Sequence, residues 1–132
     1  MKNLFFILSL FIGLTACTPN LNSLKRTPTK WVLTEWPGKT LPGKAQATLN
    51  ITEGHKIGGK SFCNVYGGNA VFNGNALKFS QFFGTKMYCE GSAEAENKFI
   101  ADLEAVNAGR LSGDKLLLLK DEQVVMVFSK TE

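Results

Sequence analysis

Hydrophobic positions along this chain fall mostly into short runs with a two-residue period. Ala45 to Thr52 alternates, with Ala47, Leu49 and Ile51 on one face and Thr48, Asn50 and Thr52 on the other, the pattern of a half-buried strand. Trp31 to Trp36 is a β-favouring run stopped by Pro37-Gly38. Glu53-Gly54-His55 reads as a turn, and Lys56 to Phe62 as the returning strand, in which Gly58-Gly59 marks a bulge or a barrel corner. Ala70–Phe72 and Ala76–Phe79 flank Asn73-Gly74-Asn75, where Asn-Gly signals a hairpin. Lys115–Lys120 and Gln123–Ser129, joined by Asp121-Glu122, predict a closing hairpin of buried strands. One segment has a different period. Phe99, Leu103 and Val106 recur at four and three residues with Ile100 beside them, which predicts a helix over about 92–108. Ser92 suits its N-cap, Glu94 and Glu96 its first turn, and Asn107-Ala108-Gly109 its stop, with Gly109 as a left-handed cap. The sum is a mainly β (α+β) domain: a small antiparallel barrel-like sheet of six to eight strands with one α-helix. Closure into a barrel removes exposed strand edges.

The N-terminus carries a different pattern. Lys2 precedes an uncharged apolar run from Leu4 to Leu14. A run of about 10–14 residues is too short to cross a bilayer as a permanent helix and reads as a signal-peptide core. Leu14-Thr15-Ala16-Cys17 follows at once and resembles the lipobox of bacterial lipoproteins. Residues 1–16 are therefore expected to be removed, and Cys17, as a thiolate nucleophile, to take the lipid. Residues 17–29 are polar and without period, a lipidated tether, and the domain is expected over 30–132. Two or three acyl chains on one Cys suffice for stable anchoring. Thr18, in place of Asp, favours retention in the outer membrane, facing the periplasm.

Charge changes this picture little. The chain has 15 Lys and Arg against 11 Asp and Glu. Without Lys2 the mature chain is mildly basic, and it shows no basic stripe with interleaved aromatics of the kind that reads nucleic acid. Lys25, Arg26 and Lys30 follow the lipid site, where each contributes about 1 kcal/mol against anionic headgroups. Cysteine number is more informative. Cys63 and Cys89 remain once Cys17 is assigned, and two thiols in an oxidising compartment are enough for one bridge. Free thiols and a metal site are the alternatives, although His55 is the single histidine available as a further ligand.

The middle of the chain carries a longer motif. Gly58-Gly59-Lys60-Ser61-Phe62-Cys63-Asn64-Val65-Tyr66-Gly67-Gly68 is followed by Gly74-Asn75-Ala76-Leu77-Lys78-Phe79. Thr85-Lys86-Met87-Tyr88-Cys89 comes next, then Glu96, Phe99 and Leu103. Together these resemble the META (HslJ-type) domain over about residues 30–129. The resemblance implies a small, mainly β, barrel-like fold with one helix, paired cysteines at 63 and 89, and an exported or membrane-anchored setting linked to stress tolerance. It implies no catalytic residue and no cofactor. Two positions depart from the pattern: Phe62 stands where a small residue commonly precedes the first Cys, and Tyr88 where Ala commonly precedes the second.

The candidate sites follow. A Cys63–Cys89 bridge would staple the glycine-rich segment to the entry of the helix, for about 3–4 kcal/mol. Asn64, Tyr66, Gly67 and Gly68 are a candidate partner-binding loop, or else a loop shaped by residues that tolerate positive φ. Phe72, Phe79, Phe82, Phe83, Tyr88 and Phe99 are core or the lining of a ligand cavity. With one His and no recognisable carboxylate pair, no catalytic constellation can be assembled. The expectation is a non-enzymatic, lipid-anchored, monomeric cell-envelope protein without a cofactor. It would support envelope integrity or stress tolerance through an unidentified envelope partner, and bind no nucleic acid. The competing expectation is a lipocalin-like binding or inhibitor module, for example of a periplasmic hydrolase such as lysozyme.

Overall fold

Short turns set the architecture. A computed structural model describes residues 20–131; the expected signal peptide, Cys17 and Thr18 lie outside them. The strands are β1 (Thr29–Glu35), β2 (Thr48–Thr52), β3 (Lys56–Ser61), β4 (Asn64–Asn73), β5 (Ala76–Gly84), β6 (Ala108–Ser112), β7 (Lys115–Lys120) and β8 (Gln123–Lys130). Four connections have two residues, fixed by the end pairs Ser61–Asn64, Asn73–Ala76, Ser112–Lys115 and Lys120–Gln123. Gly74 and Gly113 take positive φ at the first turn position, as such tight turns require. At the last of these turns both Asp121 and Glu122 take positive φ, at 49° and 67°. That is the demand of a type I′ turn, here met without glycine.

Each strand pairs antiparallel with the next, and β1 returns to β8 through Trp31–Lys130 and Leu33–Phe128, closing an eight-stranded barrel. The seam between β5 and β6 is thin. They pair only at Ala76–Ala108, flanked by Leu77 N–H to the Asn107 carbonyl at 3.3 Å and Gly109 N–H to the Asn75 carbonyl at 2.9 Å. Between these two strands runs α1 (Ala93–Ala105), the single α-helix among the described residues, packed against β5 and β3. Its buried residues, Phe99 and Leu103, join Leu49, Ile51, Leu77, Phe79, Leu116, Leu118, Met126 and Phe128 in a filled interior. Alternation on the strands therefore supplies the barrel core, and the helical stripe supplies what the open seam lacks.

Three expectations change. Helix α1 stops at Ala105, and Val106 turns to extended backbone (φ −61°, ψ 133°), so Gly109 is no cap. Gly109 belongs instead to β6, a strand the sequence pattern did not give. A Cβ there would lie 3.0 Å from a Leu21 methyl and 3.1 Å from a Leu77 methyl, so a larger residue would push these two side chains back. Ser92 does stand at the N-cap, but its hydroxyl donates to the Cys89 carbonyl at 3.3 Å rather than capping the helix. Finally, the segment before Lys30 is no free tether over its whole length. Leu21–Lys25 form a 3-10 helix whose Leu21 and Leu24 are buried. It packs against β2, β4 and β6 at one end of the barrel.

Candidate functional site

The motif residues of the sequence converge on one place. Ser61 and Asn64 close the β3–β4 turn, with Phe62 and Cys63 between them. From the first turn of α1, Glu96 reaches that turn. Its Oε1 accepts the Cys63 backbone N–H at 2.8 Å and the Asn64 backbone N–H at 2.7 Å, while its Oε2 accepts Asn64 Nδ2 at 2.7 Å. A carboxylate that accepts backbone donors makes charge-assisted bonds about twice as strong as neutral ones. Asn64 is itself saturated. Its Nδ2 also donates to the Met87 carbonyl at 3.1 Å, and its Oδ1 accepts from Thr85 Oγ1 at 2.9 Å and from the Met87 N–H at 2.7 Å. The Cys63–Cys89 disulfide, with Cα atoms 6.2 Å apart, ties the same turn to the chain that enters the helix. Turn, post-β5 segment and helix are thus held by one buried side chain, one carboxylate and one covalent bond.

Beneath the turn lies an aromatic cluster. Phe62 stacks on Trp36 with ring centres 5.9 Å apart and meets Phe99 edge-on at 5.7 Å. Trp36 and Tyr66 also meet Phe99 edge-on, at 6.3 and 5.7 Å. Trp36 Nε1 donates to Asp102 Oδ2 at 2.9 Å, a second tie to the helix. Phe62 holds φ at 73°. At this turn position a glycine would be unstrained, which explains the small residue common there in the family motif. Here the buried ring offsets the backbone cost.

The four residues Asn64, Tyr66, Gly67 and Gly68 do not form an exposed loop. All lie in β4 and all are buried. Tyr66 points into the barrel, and its hydroxyl donates to the Thr48 carbonyl at 2.7 Å. Burial pushes this phenol well above the usual tyrosine range. Gly59 makes room at the same corner, since a Cβ there would collide with the Thr48 carbonyl oxygen; the expected barrel corner at Gly58-Gly59 is this site. Gly67 lies under the Phe83 ring, which would sit 2.5 Å from a Cβ. The glycines serve close packing between neighbouring strands, and that distance is what a linear sequence does not display.

Exposure falls on the next segment instead. Phe83, Met87 and Tyr88 are 72%, 63% and 86% exposed, and Val65 is 49% exposed. Val65, Tyr66, Phe82, Phe83, Lys86 and Ile100 line a groove of about 170 Å³ between β5 and α1. Phe72, Phe79 and Phe99 are core, while Phe82 is partly buried against it. The sequence grouped these aromatics together but could not sort them. A bulge at Gln81, with φ 55° opposite Gly68, shifts the β5 register and turns Phe83 outward. Glu96, Thr85 and Met87 were visible as motif positions. Their joint engagement of Asn64 was not, because it needs three segments brought together. His55 sits in the β2–β3 turn, at the opposite end of β3 from Cys63, and no group of three or more metal-ligating side chains occurs among the described residues.

Comparison with known proteins agrees with this geometry. The family model described as META domain matches residues 22–132. An NMR structure of a protein from Burkholderia xenovorans is similar, with a TM-score of 0.72 and 21% identity, over 84% of this chain and 86% of that one. A second NMR structure is similar with a TM-score of 0.59 and 20% identity, over 76% of this chain and 87% of that one. Both likenesses concern the fold. No curated protein matches the chain significantly. The turn, the disulfide and the Asn64–Glu96 clasp are the spatial form of the Cys-Asn, Thr-x-Met-x-Cys and helical Glu motif, and the chain belongs to the META domain family.

Proposed function

We propose that this chain is a lipid-anchored protein of the cell envelope, exported by residues 1–16 and acylated at Cys17, whose domain acts by binding rather than by chemistry. In this reading it faces the periplasm, from the outer membrane, and supports envelope integrity or stress tolerance. The observation that carries the non-enzymatic part is the commitment of the motif's polar groups. Both Glu96 oxygens, both polar atoms of Asn64 and both sulfurs are engaged with one another or with backbone. A family motif spent on holding a scaffold points to function on the surface that scaffold presents. The lipoprotein part rests on the Leu14-Thr15-Ala16-Cys17 motif behind an uncharged apolar run. Intact mass of the protein extracted from membranes, with and without reduction before alkylation, tests both. A mass matching a chain that starts at acylated Cys17, gaining two alkyl groups only after reduction, supports the reading. An unacylated mass refutes the anchor.

One observation favours a second reading, a binding module that inhibits a periplasmic hydrolase: the exposed Phe83, Met87 and Tyr88 beside a disulfide-tied turn. Stoichiometric loss of lysozyme activity, relieved by F83A/Y88A, would favour it. Full lysozyme activity at excess protein would dismiss lysozyme as the target.

A further inference from the structure

Antiparallel meandering places three hairpin turns at one end of the barrel: Glu53-Gly54-His55, Gly74-Asn75 and Gly113-Asp114. The 3-10 helix Leu21–Lys25 lies across that same end. Ser23, Leu24, Thr27, Gly113 and Lys130 line one depression there, so these elements are neighbours in space. The described chain begins at Asn20, three residues after Cys17. Three residues span at most about 11 Å when fully extended. A lipid on Cys17 would therefore hold this end within about a Debye length of the headgroups.

Charge is concentrated where that geometry puts the membrane. Lys25, Arg26, Lys30, Lys56, Lys115 and Lys130 lie at this end against three acids, Glu53, Asp114 and the Glu35 that pairs with Lys115. The rest of the mature chain carries eight basic residues against eight acidic ones. The whole positive excess of the mature protein thus belongs to one end of the barrel. Arg26, Lys56 and Lys130 are exposed and Lys25 is half-buried. Lys115 lies 3.9 Å from Glu35, a solvent-exposed pair, and Lys56 donates to Asn69 at 2.8 Å. At about 1 kcal/mol for each basic side chain near an anionic surface, three or four of them set an orientation, not only an attraction.

We propose that this end of the barrel rests on the anionic headgroups of the membrane that holds Cys17. The opposite end, with Phe83, Met87, Tyr88 and the disulfide-tied turn, then points away from the bilayer. The inference deepens the lipoprotein reading above and depends on it.

Lysine footprinting on the lipoprotein purified from membranes tests it. The protein is reconstituted into vesicles of phosphatidylethanolamine, with or without phosphatidylglycerol, and acetylated with N-hydroxysuccinimidyl acetate. Lys25, Lys56 and Lys130 report on the basic end, and Lys39, Lys44, Lys86 and Lys120 on the other. The expected result is labelling about fivefold slower at the first three when phosphatidylglycerol is present, with the last four unchanged. R26E/K130E should abolish the difference. Equal labelling at both ends on lipidated protein, slower labelling at the far end, or equal protection on neutral vesicles each overturns the orientation while leaving the anchor intact. Intact mass of the same sample separates that outcome from failure of the anchor itself. An unacylated Cys17 overturns both.

Discussion

Glu96 is where the clasp can be loosened with the least disturbance to packing. Changing Glu96 to Gln keeps the shape and preserves Oε1 as an acceptor for the Cys63 and Asn64 N–H groups. It also replaces Oε2 by an NH2 group facing Asn64 Nδ2, two donors where one bond of 2.7 Å existed. Hydrogen bonds to a charged partner contribute about 1.5–3 kcal/mol, and an orphaned buried donor costs a similar amount. The loss expected for E96Q is about 2–3 kcal/mol. E96A removes all three bonds, leaving the Asn64 N–H and one Nδ2 hydrogen unpaired while the Cys63 N–H keeps the Ser61 carbonyl at 3.1 Å, and should cost about 4 kcal/mol. Unfolding entropies near 2.1 cal/mol/K per residue convert each kcal/mol into about 4 °C for a domain of this size. Thermal unfolding followed by circular dichroism should therefore show E96Q melting about 10 °C below the wild type. Glu94 shares the first turn of α1 but is exposed, so E94Q should shift the midpoint by 2 °C or less. A double-mutant cycle with N64A should return a coupling of at least 1 kcal/mol. If E96Q melts within 2 °C of the wild type, the carboxylate does not hold the turn, and the structural account of the motif fails.

Three other outcomes follow from the same structure. Reducing the Cys63–Cys89 bridge, which closes 26 positions of chain, should lower unfolding stability by about 3–4 kcal/mol in a urea titration, with the native fold retained in the absence of denaturant. Replacing Glu122, held at φ 67° in the β7–β8 turn, by glycine should raise stability by about 1 kcal/mol; a loss would mean the turn is not type I′. Burial raises the Tyr66 phenol pKa, so its neutral form is favoured in the fold and stability is fully present below the unfolded value of about 10. Above that pH the unfolded chain sheds a proton that the folded one keeps, and stability should fall by about 1.4 kcal/mol per pH unit. Y66F should remove that slope while also losing the bond to Thr48.

Much of the fold was legible because its determinants are local. The alternation of Ala47, Leu49 and Ile51 places these three residues in the barrel interior. The Phe99 and Leu103 spacing identified the face that α1 buries. Asn73-Gly74 and Asp121-Glu122 located real turns. What stayed hidden depends on contacts between distant segments. β6 was missed because Ala108-Gly109-Arg110 has neither alternation nor β-branched residues; it is a strand because it pairs with β7 in unbroken register from Ala108–Leu119 to Ser112–Lys115. The buried Leu21 and Leu24 looked like a tether because two leucines among polar residues make no period, and only the open end of a barrel gives them a place.

Phe62 shows the limit most sharply. Local rules put glycine at the first position of this turn, and an L side chain held at φ 73° costs about 1–2 kcal/mol. Read locally, the residue is a mistake. In three dimensions its ring is buried between Trp36 and Phe99, and burying a phenylalanine contributes about 2–3 kcal/mol before any aromatic contact is counted. The balance favours Phe62, but only because Trp36 from the end of β1 and Phe99 from α1 arrive at the same place. The helix that supplies Phe99 also supplies Glu96, so the strained turn, the aromatic cluster and the carboxylate clasp stabilise one another. F62G should relax the backbone yet lose more than it gains. Its cost should shrink in an F99A background, where the ring has already lost its partner. Equal cost in both backgrounds would show that the strain at Phe62 is offset elsewhere.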